Sequence, residues 1–255
     1  METDVIGMDA LTSTLDLFYA EGWITDVVKL LKSGKEATAY CCRADPATGQ
    51  DYFVAKVYRD QQSRSFKNDA IYREGRPVLD GDGRPSARLS RGLRRKGKIG
   101  RAIQFRTWID YEYDTLRLLH AAGADVPRPI GRSERAILME YLGDGDGPAP
   151  QLQSVNLEPT AAPGLFHLLM RNVELWLAHD RIHGDLSAYN VLYWNGAVKV
   201  IDFPQAIDPR FNSNAPMLLA RDVENLCRYF NRYGIDADAA RLSDRIWARF
   251  LRAEL

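Results

Sequence analysis

Apolar and polar positions recur at short, strand-like intervals in the first half of the chain and at helical intervals in most of the second. Asp26 to Leu31, Thr38 to Arg43, Tyr52 to Tyr58 and Ala136 to Tyr141 are rich in β-branched and aromatic residues, which predicts antiparallel strands. The second and third are joined by DPATGQ, whose Pro and Gly suit a hairpin loop. Within Trp108 to Ala121, Ile109, Glu112, Leu116 and Leu119 fall at helical spacing, so this strand-rich half holds one internal helix. Asp9 to Tyr19 adds an amphipathic helix ahead of it. Further on, Leu165 to Asp180, with Leu165, Leu169, Val173 and Trp176 on one stripe, and then Leu218 to Tyr233 and Asp238 to Leu251, are predicted helices. The breaker-rich GDGDGPAP, Gly143 to Pro150, is the candidate domain boundary.

Between the later helices lies HGDLSAYNVLYWNGAVKVIDF, which contains a readable hairpin. Val191 to Trp194 and Ala197 to Ile201 are strands, and Asn195-Gly196 is a strong signal for a two-residue turn with positive φ at both positions. Pairing Trp194 with Ala197 puts Asn190 opposite Ile201 and beside Asp202. An amide oxygen and a carboxylate so placed are hard ligands that suit magnesium, with phosphate oxygens and water completing the shell.

Composition narrows the class. In 255 residues, 34 Lys or Arg balance 34 Asp or Glu, and 45% of positions are hydrophobic, as in an ordinary globular protein. Of three cysteines, Cys41 and Cys42 are neighbours that a strand points to opposite faces, so they share neither a bridge nor a metal, and a reducing, cytoplasmic setting is expected. No run approaches the length of a membrane span, and METDVIGMDA lacks the regions of a signal peptide, so no membrane partner is expected. Charge is uneven in one place. Arg84, Arg88, Arg91, Arg94, Arg95, Lys96, Lys98 and Arg101 form a basic run without an acidic residue, and with Gly92, Gly97 and Gly100 it reads as a mobile loop or weak helix. Three roles stay open for it: a solvated segment, a phosphate-contacting surface for RNA, or a carrier of phosphorylation sites at Ser86 and Ser90. It has no interleaved aromatics, so base stacking is not supported.

His183, Asp185 and Asn190 form H-x-D-x-x-x-x-N, and Asp202 follows after the hairpin, which matches the catalytic loop and metal aspartate of protein kinases in type, order and strand context. One carboxylate can take or orient a hydroxyl proton while the other and the amide hold ions against a transferring phosphoryl group. Lys56 in FVAKVY reads like the kinase strand whose lysine contacts the α- and β-phosphates. Its acidic partner must come from the internal helix, where Glu112 is best placed and Asp110 and Asp114 lie on neighbouring faces.

Taken together, SGKEATAY, VAKVY, RTWIDYEYDTLRLL, VPRP, LMEYLGDGDGPAPQL, HGDLSAYNVLYW and VIDFPQAI resemble the RIO family of atypical serine/threonine protein kinases, in the family's order over about residues 25 to 230. The resemblance implies an α+β, two-lobed, protein-kinase-like fold. Its parts would be an N-terminal helical extension at 1–22, an N-lobe at 23–142 with an antiparallel sheet, one helix and a flexible basic loop at about 60–104, and a mainly helical, truncated C-lobe at 143–255. It also implies ATP as substrate with Mg2+ or Mn2+ as cofactor. Ser33, Gly34 and Lys35 would face the phosphates in place of a G-x-G-x-x-G loop. Met139, Glu140 and Leu142 would line the adenine site, Asn190 and Asp202 would hold metal, and Lys56, Asp185 and Asp202 would act in catalysis, Asp202 as a possible 4-aspartylphosphate. Autophosphorylation, an unidentified protein substrate and a small-ribosomal-subunit or RNA contact through the basic loop belong to the same implication. The stretch before Trp23 is shorter than a winged-helix domain, which points to the type without one. Departures from ordinary kinases include Gly184 after His183 where Arg would stand, Phe203-Pro204-Gln205 after Asp202, and no A-P-E motif, which leaves little room for an activation loop or a peptide-gripping subdomain. Two other classes remain: a small-molecule phosphotransferase of the aminoglycoside or choline kinase type, and a non-catalytic or ATPase-type ribosome assembly factor.

Overall fold

The computed structural model describes residues 8–59 and 98–255, with side chains at 10–59 and 105–255. The described residues fall into two units, one of 8–59, 98–113 and 128–141, the other of 114–127 and 142–255.

The first unit is built on a five-stranded antiparallel sheet in the order β1-β2-β3-β5-β4, where β1 is Ile24–Ser33, β2 Ala37–Ala44, β3 Tyr52–Tyr58, β4 Pro129–Arg132 and β5 Ala136–Glu140. The β2–β3 connection is a short 3-10 turn, Pro46–Thr48, whose first amides are capped by the Asp45 carboxylate and whose exit is Gly49 at φ 67°. Helix α1, Met8–Ala20, lays Leu11, Leu15 and Phe18 on one sheet face, against Tyr40, Cys42, Phe53, Ala55, Val57, Ala136 and Leu138. Because strand side chains alternate, Lys56 between Ala55 and Val57 is directed to the opposite face, away from this core. Edge strand β1 slips register against β2 at three places, between Ile24 and Asp26, Val27 and Lys29, and Leu30 and Lys32. Cys41 and Cys42 are free thiols, both buried on their opposite faces.

Two features depart from the sequence reading. Strand β4 has no counterpart in it, because a Pro-Ile-Gly-Arg tetrapeptide carries strand breakers that only an edge position tolerates. Helix α2, Lys98–Ala121, starts ten residues ahead of Trp108, so at Lys98 to Arg101 the basic run takes its weak-helix alternative; Gly100 there costs about 1 kcal/mol relative to Ala, which a helix of this length absorbs. The rest of the basic run, with Ser86 and Ser90, lies outside the described residues.

The second unit holds α3 (Ala162–Ala178), the hairpin β6 (Val191–Trp194) and β7 (Ala197–Val200), α4 (Ala215–Asn231) and α5 (Ala239–Leu251). The stripe Leu165, Leu169, Val173 and Trp176 is buried. Asn172 on α3 exchanges two 2.7 Å bonds with Asp125, whose carbonyl takes the Val200 amide, so helix and hairpin share one anchor. In the hairpin Trp194 pairs with Ala197, and Asn195 (φ 48°) and Gly196 (φ 81°) make the tight turn. Among the described residues no helix is long and apolar enough to cross a membrane.

Candidate active site

The first unit holds a buried ion pair. Lys56 Nζ donates to Glu112 Oε1 at 2.6 Å, with Glu112 1% exposed and Lys56 15% exposed. The second carboxylate oxygen accepts from the Tyr58 hydroxyl at 2.7 Å. Asp110 instead pairs with Arg132 and Asp114 is exposed, so of the three acidic neighbours Glu112 is the one that meets Lys56. The turn Ser33-Gly34-Lys35 is exposed. It is closed by a bond from the Gly34 amide to the Ala37 carbonyl, and a Cβ on Gly34 would lie 3.2 Å from that oxygen. Arg59, which sequence reasoning passed over, pins the turn to the end of β3 by donating to Ser33 Oγ at 2.6 Å and to Thr38 Oγ1 at 3.3 Å. At the far edge of β3, Met139 is buried opposite Val54, and the Glu140 amide and carboxylate both engage the backbone of Arg128.

The second unit holds two carboxylates and an amide that stand near one another. Asn190 Nδ2 donates to the Asp185 carbonyl at 2.9 Å, and the Ile201 amide donates to the Asn190 carbonyl at 2.9 Å, which extends the hairpin ladder one step and brings Asp202 next to Asn190. Asp202 is at φ 74°, a left-handed conformation that costs a non-glycine residue free energy and is held by its neighbours. Phe203 is fully buried, with its ring 4.5 Å from His183 and 5.5 Å from Trp176. His183 accepts from the Asp185 amide at Nδ1, which puts its proton on Nε2, 3.2 Å from the Ile201 carbonyl. One imidazole thus ties the turn before Asp185 to the residue before Asp202. Further along, Ile182 and Ile207 exchange backbone bonds, so the chain after Asp202 is fastened rather than looped out.

Beneath the Gly184-Asp185-Leu186 turn lies a cluster on α4 that no local pattern announced. The fully buried Asp222 accepts from the amides of Gly184 (2.7 Å) and Leu186 (2.9 Å), Asn225 donates to the Leu186 carbonyl (2.9 Å), and Arg221 donates to the Gly184 carbonyl. Both backbone amides flanking Asp185 are therefore fixed by one carboxylate.

Burial pushes the Asp185 carboxyl above its usual range, the Arg221 guanidinium pulls it back, and the charge of Asp202 pushes it up again. Two carboxylates that feel each other's charge, with an amide oxygen alongside, are a donor set that a hard divalent cation would relieve. Among the described residues no cluster of three His, Cys, Asp or Glu could hold a metal. Two protein oxygens with the balance from phosphate and water is the arrangement magnesium accepts, and the residues fit it.

Asp222 is pushed up to about 7, burial outweighing the two amide bonds and Arg221. The folded state then binds this proton more tightly than the unfolded chain, so its contribution to stability is present below the ordinary value of 3.8 and is lost as pH rises to about 7. Unfolding measured from pH 4 to 8 should show wild type losing stability relative to Asp222→Asn across that window, by about 4 kcal/mol at most, and a constant difference above it.

Comparison with known proteins decides the family. The RIO domain model matches residues 39–242. The chain belongs to the RIO family. It is 31% identical over 232 residues to the RIO-type serine/threonine-protein kinase Rio1 of Haloferax volcanii, covering 90% of this chain and 72% of that one. It is 32% identical over 139 residues to Rio1 of Thermoplasma acidophilum, covering 54% and 72%. Among solved structures, the Rio2 kinase of Chaetomium thermophilum in an ADP/Mg2+-phosphoaspartate complex is similar in fold, with TM-score 0.61 and 21% identity over 97% of this chain and 74% of that one. This RIO chain is accordingly a serine/threonine-protein kinase with the kinase-like α+β fold.

Proposed function

We propose that this chain transfers the γ-phosphoryl group of ATP to serine or threonine hydroxyls, its own and those of a protein partner. The observation that carries the reading is the hairpin frame: Asn190 and Asp202 stand side by side at its open end, and Asn190 is bonded to the backbone of Asp185. Asp185 accepts the proton of the attacking hydroxyl as the new O–P bond forms; the bond from the γ-phosphorus to the β,γ-bridging oxygen breaks and ADP departs. The Asn190 amide oxygen and the Asp202 carboxylate would hold magnesium, which would supply positive charge against the phosphate oxygens. Lys56, oriented by Glu112, contacts the α- and β-phosphates, and the exposed Ser33-Gly34-Lys35 turn covers them. Met139, Glu140 and Leu142 border adenine; since the Glu140 amide is taken by Arg128, Glu140 would serve adenine through its carbonyl.

A second reading is an ATPase in which the Asp202 carboxylate itself attacks the γ-phosphorus, the bond to the β,γ-bridging oxygen breaks and ADP departs, and water then hydrolyses the aspartyl phosphate to free carboxylate and inorganic phosphate. It is favoured by the strained, immobilised backbone of Asp202. Incubation with radiolabelled ATP and magnesium separates the two. Acid-stable label on Ser or Thr is expected for the kinase. Hydroxylamine-labile label that disappears in Asp202→Asn, with phosphate release, would favour the second reading. Neither label nor release in wild type overturns both, and label on added amino alcohols or sugars returns the small-molecule class.

A further inference from the structure

Lys56 and Tyr58 are two residues apart on β3, so both project from the face opposite the α1 core. Glu112 on α2 meets both, one carboxylate oxygen on each: Oε1 with the ammonium at 2.6 Å and Oε2 with the hydroxyl at 2.7 Å. A carboxylate that is 1% exposed has little access to water, so the second oxygen depends on a protein donor. Tyr58 is a rigid one. Its side chain is fully buried, its ring stands edge-on to Trp108 of the same helix at 4.9 Å between centroids, and its backbone amide is held by the Arg135 carbonyl at 2.9 Å. The Lys56 ammonium also lies 5.1 Å from the centre of that ring, within cation–π range. Tyr58 therefore touches both partners of the pair.

We propose that Tyr58 is a positioning residue for nucleotide binding: its hydroxyl locks the Glu112 carboxylate so that the Lys56 ammonium is held in one place for the ATP phosphates. An ion pair with a single bond lets the carboxylate turn about its terminal torsion and lets α2 rotate while contact is kept. Two bonds to side chains about 6.6 Å apart along one strand remove both freedoms, since any rotation or slide of α2 breaks one of them. The helix is thereby kept in its engaged position by the strand that carries the lysine. This inference rests on the kinase reading for its kinetic consequence, and on geometry alone for the clamp.

The test is a double-mutant cycle in the full chain. Tyr58→Phe keeps the ring and its contact with Trp108 and removes one hydroxyl. With ATP as variable substrate, its KM should rise about five- to tenfold while kcat stays within about twofold, and in a Glu112→Ala background the same change should add nothing to KM. A role in packing alone would lower the melting temperature without moving KM. Unchanged KM in Tyr58→Phe, or an effect that persists undiminished without Glu112, overturns the proposal; Tyr58→Met gives the same reading if the Phe variant does not fold. Absence of turnover in wild type would count against the kinase reading and leaves the clamp to the second measurement, the unfolding cycle of the same variants. A coupling of at least about tenfold in the unfolding constant supports the clamp, and none overturns it.

Discussion

Asp185→Asn is expected to lower kcat about 10²- to 10⁴-fold and to leave the KM for ATP within a few-fold of wild type. The substitution is nearly isosteric, and the turn is held through its backbone by the Asp185 carbonyl to Asn190, the flanking amides to Asp222 and the Gly184 carbonyl to Arg221. The turn would therefore keep its shape while the carboxylate proposed to accept the proton is lost. Burial raises the Asp185 carboxyl, which would strengthen it as a base in the proposed transfer. Steady-state transfer to protein, measured with ATP binding followed separately by thermal shift, checks the split. A loss below tenfold would mean that Asp185 orients the hydroxyl and that the proton leaves by another route.

Asp222→Ala destabilises the fold by about 3 kcal/mol or more, a fall in melting temperature of about 6–12 °C for a domain of this size. The carboxylate is fully buried and serves two amides, at 2.7 and 2.9 Å, that strand and helix ladders do not reach. Each buried amide left without an acceptor costs about 1–3 kcal/mol, and the cavity adds to it. Calorimetry and urea denaturation near pH 7 provide the check. A change under about 1 kcal/mol would mean that water enters and replaces the carboxylate.

These two residues also mark how far the sequence could be read. The hairpin frame was legible because its signals are local: a two-residue turn with positive φ at both positions fixes the register, and register alone sets Asn190 against Ile201. Lys56 was legible because FVAKVY is a short local pattern like the kinase strand that carries the phosphate-contacting lysine. The partners of Asp185 were not. Asp222 and Asn225 lie 36 to 39 residues from the groups they hold, on a helix whose own period explains only its apolar face. Arg59 and Tyr58 escaped notice for the same reason, since their partners Ser33 and Glu112 are on other elements. Glu112 was the best placed of the three acidic residues in the sequence, and α2 in place shows why Asp110 and Asp114 are not its equals: Asp110 pairs with Arg132 and Asp114 is exposed. The early start of α2 was hidden by glycines that weaken a helix without forbidding it.

The slipping register of β1 bears on how this chain behaves in a crowded solution. A ten-residue outer strand with Val28 and Leu30 40% and 43% exposed is, on composition, a template for another molecule's strand. Its three irregularities interrupt the row of outward N–H and C=O groups at intervals of a few residues, and Lys29 and Lys32 set like charges along the same edge. Two copies meeting there find no continuous ladder to share, so sheet-to-sheet polymerisation is blocked at the first step. Straightening the strand by removing its irregularities would be expected to open that edge to strand pairing between copies.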